Sequence, residues 1–413
     1  MKYGLIGEKI GHSFSPQIHG TLASYEYILR PVPRNELDEF IKKRDFCGLN
    51  VTIPYKKAVM PFCDYLDPDA AGIGSVNTLV VKDGRLCGYN TDLQGFIYMA
   101  TRSGISFEGK KIIILGTGGT AMTAQAASKK LGAGEIVLIS RTGENNYSNL
   151  SRHADADVLV NTTPVGMYPN CGKSPVDLSL FPKLSGVLDV IYNPLKTALL
   201  LEAERRGLPR SGGLPMLVVQ AKASAELFTG KKIPDTKIEE VVAALRRQMS
   251  NVVLIGMPGS GKSTLGKALA QELGKKFVDT DEEIATRAGM SIPEIFARHG
   301  EGHFRQLESE VISDLGKETG YVIATGGGCV LRDENYLPLR QNGIVLYITR
   351  PIKELPADGR PLSQSGSLEE MFRVRRPRYE LFADAVVDNS GDFAQTVQKA
   401  IEVYYENIGD KRP

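Results

Sequence analysis

Two glycine-rich loops constrain the fold of this chain more than any other feature. The first occupies residues 116–121 and the second residues 256–264, and each lies between an apolar run typical of a buried strand and a segment with a helical pattern. Glycine permits a tight turn there, and the N-terminus of the following helix presents unbonded N–H groups to an anion. The sequence therefore predicts two phosphate-binding sites of different chemistry. Apolar runs that alternate with helical patterns in both halves predict α/β domains with parallel sheets and crossover helices.

Composition limits the partners of such a chain. Its 413 residues are too many for one hydrophobic core, and 42% apolar with 24% charged residues is typical of a globular protein. A formal net charge of +2 favours small-molecule substrates over nucleic acid or an anionic membrane. No apolar stretch reaches the roughly 20 residues that span a bilayer, and no signal-peptide pattern follows Met1, which predicts a cytoplasmic location. The sequence leaves a homodimer open.

The cysteines and histidines show no disulfide or zinc pattern. The five cysteines contain no Cys-x-x-Cys pair, so we expect plain buried thiols. His299 and His303 stand four residues apart, but a zinc helix needs a Glu directly after the first histidine and a third ligand, and Gly300 occupies that position. We therefore expect no metal at these histidines.

The first loop has the spacing of a dinucleotide-binding turn. Gly116, Gly118 and Ala121 provide the pattern, with Gly119 and Thr120 between them. A glycine-rich turn before a helix is often only a turn, so this motif alone leaves dinucleotide binding and a plain turn equally open.

The end of the next strand indicates which dinucleotide is bound. Ser140, Arg141 and Thr142 stand where an NAD enzyme carries an acidic residue for the ribose hydroxyls. A basic side chain there suits the 2′-phosphate of NADP, although Arg141 alone could be a solvated charge and Glu144 nearby disfavours a phosphate. We predict NADP, rather than NAD, in a Rossmann domain.

Polar segments of the first half are spaced along loops as recognition of a small polyhydroxy acid requires. They occupy residues 11–16, 50–56, 74–78, 90–92, 161–167 and 213–221. In this order, over roughly residues 2–245, they resemble the signatures of the shikimate dehydrogenase family. The resemblance implies NADPH-dependent reduction of 3-dehydroshikimate to shikimate.

The resemblance also implies roles for single residues. Ser13 and Ser15 would bind the substrate carboxylate, and Lys56 with Asp92 would form the catalytic pair. The remaining contacts would come from Thr52, Asn77, Asp92 and Gln220 to the substrate hydroxyls, from Tyr192 to the substrate and from Gly213 to NADP.

Chemistry supports the catalytic pair independently of the resemblance. Reduction of a ring ketone needs a donor at the oxygen as the hydride arrives, and a lysine beside a carboxylate provides both proton and charge. Without the surrounding motifs, Lys56 would be interpreted as a surface charge and Asp92 as a helix cap.

One segment of the first half departs from the family. Residues 143–148, between Arg141 and the strand that ends at Asn161, are fewer than the family usually has. We expect a strand and a helix to be missing there, which would leave a small cofactor domain and a less enclosed site for the adenosine phosphate.

The second loop has the complete Walker A pattern, Gly-x-x-x-x-Gly-Lys-Ser, between a strand and a helix. Its backbone N–H groups would cradle the phosphates of ATP or GTP, with Lys262 at the transferring group and Ser263 at Mg²⁺. The predicted ATP-binding residues of the loop are Gly256, Gly259, Ser260, Gly261, Lys262, Ser263 and Thr264.

Two carboxylates follow in the next predicted strand. Asp279 and Asp281 alternate along it, so both side chains are expected on one face. One would serve Mg²⁺, for which we predict Asp279 with Ser263, and the other would serve the acceptor hydroxyl. Alternatively, Asp281 caps the helix that begins at Glu282.

The stretch of about residues 251–400 resembles shikimate kinase. The matching segments are residues 279–281, 302–308, 324–328, 359–362 and 375–379. The resemblance implies phosphorylation of shikimate by MgATP, and it implies binding roles for the following residues. Asp281, Arg305 and Arg375 would bind shikimate, Gly326, Gly327 and Gly328 would lie against it, and Arg360 of the lid would reach the phosphates of ATP.

Physical reasoning agrees with the arginine assignment. Two arginines can grip one carboxylate in forks, whereas each arginine alone would more often be a surface charge. Residues 353–359 before Arg360 are short and lack the arginine that the family often places over adenine.

Together the two halves predict a bifunctional enzyme of the shikimate pathway. The expected domains are a substrate-binding domain at residues 1–100, completed by about 214–249, an NADP domain at 101–213 and a P-loop kinase domain at 250–413. One alternative is a quinate-type dehydrogenase joined to a kinase for another small acid such as gluconate. The other is that one half is a non-catalytic regulatory module.

Overall fold

A computed structural model describes residues 2–11, 13–355 and 368–410 of the chain. The chain divides into two compact units, Met1–Asn193 with Leu199–Val242 and Pro194–Ala198 with Ala243–Pro413. Arg360, predicted to contact ATP, lies outside the described residues. Within those residues, every helix is too short or too polar to cross a membrane.

The first unit begins with a six-stranded sheet and four helices. The strands are β1 (Tyr3–Gly7), β2 (Tyr27–Pro31), β3 (Gly48–Val51), β4 (Tyr65–Leu66), β5 (Thr78–Lys82) and β6 (Arg85–Tyr89). The helices are α1 (Ser15–Leu22), α2 (Leu37–Lys43), α3 (Pro68–Ile73) and α4 (Asp92–Arg102). The strand order is β2-β1-β3-β5-β6-β4.

This first sheet is mixed, whereas the alternation of strand and helix patterns predicted a parallel one. β5 pairs antiparallel with both β3 and β6. The hairpin between β5 and β6 turns at Asp83 and Gly84, which both have positive φ, 49° and 74°. A two-residue hairpin turn with positive φ at both positions favours Asp-Gly. This dipeptide therefore indicated the hairpin, but the alternation of strand and helix patterns suggested parallel strands instead.

A second sheet in the first unit is entirely parallel. Its strands are β7 (Lys111–Leu115), β8 (Glu135–Ile139), β9 (Val158–Asn161), β10 (Gly186–Asp189) and β11 (Arg210–Ser211), in the order β11-β10-β9-β7-β8. The helices are α5 (Gly119–Lys130), α6 (Ala198–Arg205), α7 (Leu214–Thr229) and α8 (Thr236–Met249). Four consecutive side chains of β7, from Ile112 to Leu115, are fully buried, because helices and loops cover both faces of a parallel sheet.

The connection from β8 to β9 agrees with the predicted shortening of this domain. It carries one 3₁₀ helix, Tyr147–His153, and no further strand or α-helix, and residues 140–157 are all described. β8 is consequently the edge of the sheet. Among the described residues, no strand pairs with the outer side of β8.

The second unit is built on a five-stranded parallel sheet. Its strands are β12 (Asn251–Ile255), β13 (Lys276–Asp279), β14 (Tyr321–Ala324), β15 (Gly343–Thr349) and β16 (Ala385–Asp388), in the order β13-β14-β12-β15-β16. The helices are α9 (Lys262–Leu273), α10 (Thr280–Ala288), α11 (Ile292–Lys317), α12 (Tyr336–Gln341), α13 (Leu368–Phe382) and α14 (Phe393–Ile408). β12 is central and wholly buried, and the Walker A loop follows its end, as the sequence predicts.

Candidate active sites

A cavity of about 230 Å³ in the first unit collects all the predicted substrate residues of that unit. They come from loops and helices that are distant in sequence: Ser13, Ser15, Thr52, Lys56, Asn77, Asp92, Tyr192 and Gln220. Thr120 and Gly213, which were predicted to contact NADP, line the same cavity. The predicted substrate and cofactor residues therefore meet at one place.

Lys56 and Asp92 form a close ion pair in this cavity. Lys56 Nζ lies 2.6 Å from Asp92 Oδ2, and the two side chains are 19% and 10% exposed. Lys56 is therefore not a surface charge. Asp92 is the first residue of α4 and its N-cap is Thr91, so Asp92 is not the helix cap. Its carboxylate instead lies at the N-terminal, positive end of the α4 dipole.

Ser13 and Ser15 lie together at the start of α1. Ser13 Oγ donates to Ser15 Oγ at 3.1 Å, and the backbone N–H of Ser15 donates to Ser13 Oγ at 3.2 Å. Two hydroxyls at a helix N-terminus are suited to an anionic group. Tyr192 is largely buried, and burial raises the pKa of its phenol, which keeps the O–H as a donor.

Sequence reasoning gave no role to Asn50, which also lines this cavity. Asn50 is 5% exposed, accepts from Tyr27 O–H at 2.7 Å and donates to Ser224 Oγ at 2.8 Å. The signal was its place at the start of the polar segment 50–56, which also contains Thr52 and Lys56.

The glycine-rich loop of the first unit fits a dinucleotide. Gly116 has φ of 109°, and a Cβ there would lie 2.8 Å from Thr162 Oγ1, so the turn requires glycine. A Cβ on Gly118 would meet open space, which leaves the N-terminus of α5 accessible to a phosphate. A Cβ on Gly119 would lie 3.9 Å from Lys56 Cδ, so the loop runs beside the ion pair. Ala121 is fully buried in α5.

The predicted NADP-selecting residues lie next to that loop. The N–H of Gly116 donates to Ile139 O at 2.8 Å, which brings residues 140–142 to the same edge. Ser140 Oγ accepts from Gly143 N–H at 2.6 Å and shapes the turn. Arg141 and Thr142 are exposed, and Arg141 makes no ion pair with any residue that the structure describes. This guanidinium is available to an anion at the edge of the loop.

Gly213 is required where α7 meets β10. A Cβ on this residue would lie 2.0 Å from the main-chain oxygen of Val190, and its N–H donates to Ile191 O at 2.8 Å. The residue also lines the cavity. Its backbone therefore lies at the boundary between the predicted substrate and NADP positions.

A cavity of about 510 Å³ in the second unit collects most of the predicted kinase residues. Those that line it are Gly259, Gly261, Lys262, Ser263, Thr264, Asp279, Asp281, Arg305, Gly326, Gly327, Gly328 and Arg375. Gly256 and Ser260 do not line it and lie buried beneath the loop. Arg350, Ile292 and Phe296 line the cavity and were not predicted.

The Walker A loop fits a nucleotide polyphosphate. Gly256, Gly259 and Gly261 have φ of 145°, 84° and 91°, conformations that favour glycine, and α9 begins directly after them. Lys262 Nζ donates to the carbonyls of Gly256 at 3.0 Å and Met257 at 2.9 Å. The main chain of the loop thus fixes the position of the lysine side chain. The loop therefore presents backbone N–H groups and one cation to the same cavity.

Ser263 and Asp279 provide the oxygen pair predicted for Mg²⁺. Ser263 Oγ donates to Asp279 Oδ2 at 2.6 Å, and hard oxygen donors are the ligands that Mg²⁺ prefers. Among the described residues no group of three or more His, Cys, Asp or Glu side chains could hold a metal. A metal here would need phosphate or water oxygens as further ligands, as Mg²⁺ commonly has in kinases.

Two predictions about the carboxylates after β13 were wrong in detail. Asp279 ends β13 and its Oδ1 accepts from the Asp281 N–H at 3.0 Å, so Asp279, not Asp281, caps α10. The helix therefore begins at Thr280, and Asp281 lies in its first turn rather than on the strand face that holds Asp279. Both carboxylates still line the cavity, because the turn redirects the chain there.

The predicted shikimate-binding arginines are buried. Arg305 is 7% exposed and donates through Nη1 to Glu308 Oε2 at 2.7 Å, while Arg375 is 6% exposed and donates to Gly327 O at 3.1 Å. A Cβ on Gly328 would lie 2.2 Å from the Arg305 guanidinium, so this glycine is needed for the approach. Neither arginine is a plain surface charge.

Sequence reasoning assigned no role to Glu308. Its side chain is fully buried, and burial raises its pKa to about 7 although Arg305 attracts the charged form. A Cβ on Gly326 would lie 2.7 Å from Asp281 Oδ1 and 2.8 Å from Glu308 Oε1, so the two carboxylates approach the same glycine. The signal was the (i, i+3) spacing of Arg305 and Glu308 on one helix face.

Comparison with known proteins finds a matching family model in each unit and relatives of the dehydrogenase part of the chain. A family model for the shikimate dehydrogenase substrate binding domain matches residues 5–79, and one for shikimate kinase matches residues 258–405. The chain is 37% identical over 265 residues to a shikimate dehydrogenase (NADP(+)) of Clostridium perfringens, an alignment that covers 59% of this chain and 98% of that protein.

Solved structures resemble the same part of the chain. One is a chorismate mutase/shikimate 5-dehydrogenase fusion protein from Clostridium acetobutylicum, with 36% identity, a TM-score of 0.57 and coverage of 59% of this chain and 96% of that one. Another is shikimate 5-dehydrogenase from Thermus thermophilus in complex with NADP(H) and shikimate, with 31% identity, a TM-score of 0.54 and coverage of 59% and 99%.

Proposed function

Since this chain belongs to the shikimate dehydrogenase family over its N-terminal part and carries a shikimate kinase domain at its C-terminal end, we propose that it performs two successive reactions. It reduces 3-dehydroshikimate to shikimate with NADPH and then phosphorylates shikimate to shikimate 3-phosphate with MgATP. The product of the first reaction is the substrate of the second. The observation that carries the proposal is that all the predicted dehydrogenase substrate residues and most of the predicted kinase residues, distant in sequence, line one cavity in each unit.

For the reduction, we propose that Lys56 protonates the ketone oxygen while Asp92 holds the lysine and a neighbouring substrate hydroxyl. Bound NADPH supplies the hydride. The 2.6 Å contact between Lys56 Nζ and Asp92 Oδ2 supports this pairing, since a positioned acid is needed where negative charge develops on the oxygen. Ser13 and Ser15 would fix the carboxylate, with Thr52, Asn77, Gln220 and Tyr192 as the other substrate contacts.

For the phosphorylation, we propose that Asp281 accepts the proton of the attacking hydroxyl. Bound MgATP supplies the phosphoryl group. Arg305 and Arg375 would hold the substrate carboxylate, and their burial beside the triple glycine supports a fixed ring orientation. Lys262 would neutralise phosphate charge, and Ser263 with Asp279 would contact Mg²⁺.

The domain limits belong to the same proposal. We assign residues 1–100 and about 214–249 to the substrate-binding domain, 101–213 to the NADP domain and 250–413 to the kinase domain. A cytoplasmic location is proposed from the need for NADPH and ATP, and a homodimer is proposed as an oligomeric state for ultracentrifugation to test.

Reciprocal variants test whether the two activities belong to separate sites. Lys56→Ala is expected to lower the rate of 3-dehydroshikimate reduction by about 10²-fold or more, the usual contribution of a positioned acid, and to leave shikimate phosphorylation largely intact. Asp281→Ala is expected to do the reverse. NADPH oxidation and ATP consumption, assayed separately on each purified variant, give the two rates.

Each variant has a neighbour that serves as a matched control. Lys57→Ala and Glu282→Ala remove exposed charges of the same type, one residue away, and are expected to keep both activities. Equal loss of both activities in Lys56→Ala or in Asp281→Ala would contradict separate sites.

A further inference from the structure

We propose that Thr78, Thr91 and Ser224 form a buried hydroxyl network that fixes the side-chain amide of Asn77 with an N–H toward the substrate. This position of the dehydrogenase site would then select a substrate hydroxyl that accepts a hydrogen bond. The inference rests on the proposed function, and it names the chemistry by which that site discriminates among ring substituents.

A main-chain donor fixes which end of the Asn77 amide is the oxygen. The N–H of Thr91 donates to Asn77 Oδ1 at 2.7 Å, and a backbone N–H can only donate, so the accepting atom is the carbonyl oxygen. Asn77 Nδ2 donates to Thr91 Oγ1 at 3.0 Å. The second N–H of Asn77 has no protein partner within the described part of the chain, and Asn77 lines the substrate cavity.

The three hydroxyls complete this arrangement, and two assignments of their protons are consistent with it. Ser224 Oγ donates to Gln220 O at 2.9 Å and accepts from Asn50 Nδ2 at 2.8 Å. Its other lone pair accepts from Thr78 or Thr91, whose Oγ1 atoms lie 2.9 and 3.0 Å away.

The threonine that does not donate to Ser224 donates to Asn77 Oδ1 instead. The distance to this oxygen is 3.0 Å from Thr78 Oγ1 and 3.2 Å from Thr91 Oγ1. Each of the three hydroxyl protons then has an acceptor. A flipped Asn77 amide would set its N–H groups against the N–H of Thr91, and a buried unsatisfied donor is costly.

The network acts through Asn77, because its hydroxyls do not reach the substrate cavity. Thr78 and Ser224 are fully buried and Thr91 is 2% exposed, and none of the three lines the 230 Å³ cavity. They are positioning residues. Ser224 also ties the network to α7 through the main chain of Gln220, another residue proposed to contact the substrate.

The charges around Asn77 determine which substituent suits this position. Asp92 is a carboxylate and can only accept, while Asn77 offers only a donor toward the cavity. A hydroxyl between them satisfies both, since it accepts from Asn77 and donates to Asp92. Hydrogen or an ether at that position would leave at least one buried group without a partner. Asp92 forms an ion pair with Lys56, which is proposed to protonate the ketone oxygen. The hydroxyl between Asn77 and Asp92 is therefore the one next to the reacting ketone.

Thr91→Val removes the hydroxyl and keeps the shape and the backbone N–H. The full-length protein would be assayed in the direction of shikimate oxidation with NADP⁺, using shikimate and 4-deoxyshikimate, which lacks the neighbouring hydroxyl. We expect the preference for shikimate, as the ratio of the two kcat/KM values, to fall about tenfold or more, since a site built to bond a hydroxyl loses that discrimination. The Kd of NADP⁺ should stay within about twofold.

Rescue and control variants separate this role from a structural one. Thr91→Ser keeps a hydroxyl and should restore most of the preference, and Thr229→Val, which removes a helical hydroxyl of α7 bonded to Ala225 O, should keep the wild-type preference. If Thr91→Val fails to bind NADP⁺, the two substrates are compared with Ser224→Ala instead, and the preference for shikimate is again expected to fall.

Three outcomes would overturn the inference. An unchanged preference in Thr91→Val, or equal losses for both substrates, would show that Asn77 is not positioned by the network. A wild-type protein that binds NADP⁺ but does not oxidise shikimate would instead overturn the proposed function, and this inference with it.

Discussion

At Glu308, burial and charge act on the proton equilibrium in opposite directions. Arg305 attracts the carboxylate at 2.7 Å, yet complete burial raises the pKa of Glu308 from 4.5 to about 7. Desolvation of a charge in a protein interior can exceed the attraction of one partner. The kinase site therefore holds a carboxylate that changes its charge near neutral pH beside the arginine proposed to bind the substrate.

This raised pKa predicts the sign of a stability change with pH. The folded state keeps the proton of Glu308 to a higher pH than the unfolded state, so its contribution to the free energy of unfolding is full below pH 4.5 and is lost as pH rises toward 7. Glu308→Gln should remove this dependence, a difference on the order of 2–3 kcal/mol between pH 5 and pH 8.

Hydrogen exchange of α11 in the full-length protein, corrected for intrinsic rates, measures that free energy at each pH. Glu301→Gln is the matched control, because Glu301 also pairs with Arg305 but is half exposed, and it should keep the wild-type dependence on pH. The same slope in wild type and Glu308→Gln would contradict the account of Glu308.

The junction of β10 and α7 shows how an element places a site. α7 carries Met216, Leu217 and Gln220, which line the substrate cavity, and its start packs against Val190 through Gly213. The neighbour of the missing Cβ is a main-chain oxygen, which cannot rotate away. The position of the whole helix therefore depends on the absence of one side chain.

Gly213→Ala should displace the start of α7. Overpacking against backbone costs about 1–3 kcal/mol, so we expect a lower melting temperature and a larger relative loss of dehydrogenase than of kinase activity. Thermal denaturation and the two separate assays check this. Gly20→Ala in α1, where a Cβ would meet nothing within 4 Å, should be neutral or slightly stabilising. Equal behaviour of the two variants would contradict the packing argument.

Elements flanked by strong local signals could be predicted from the sequence. Gly116 in the first loop and Gly256, Gly259 and Gly261 in the second have positive φ, and the apolar runs before the loops are buried as predicted. The Asp-Gly dipeptide at residues 83 and 84 was an equally local signal for the β5–β6 hairpin. The antiparallel pairing was not predicted, because the alternation of helix and strand patterns along the chain suggested parallel pairing.

Features that depend on competition between two capping residues, or on burial by distant parts of the chain, could not be predicted from the sequence. The start of α10 depends on whether Asp279 or Asp281 captures a free N–H, and both residues are good caps. The raised pKa of Glu308 depends on what packs around α11, which spacing along the helix does not reveal.

In the molecule as a whole, each unit contains its own glycine-rich loop, its own cavity and its own proposed acid–base group. The family models match residues in both units, and the dehydrogenase relatives of Clostridium perfringens and Clostridium acetobutylicum align with about 59% of the chain. One polypeptide therefore combines an NADP-dependent reduction with an ATP-dependent phosphorylation in sequence. We claim that both activities work in this chain on the same intermediate.

A single-vessel assay with mass-resolved products tests that claim most directly. The purified protein would receive 3-dehydroshikimate with NADPH and MgATP, and each cofactor would be omitted in turn. Shikimate 3-phosphate is expected only when both cofactors are present, and shikimate alone is expected when MgATP is omitted. Accumulation of shikimate with both cofactors present, or no reduction at all, would contradict it.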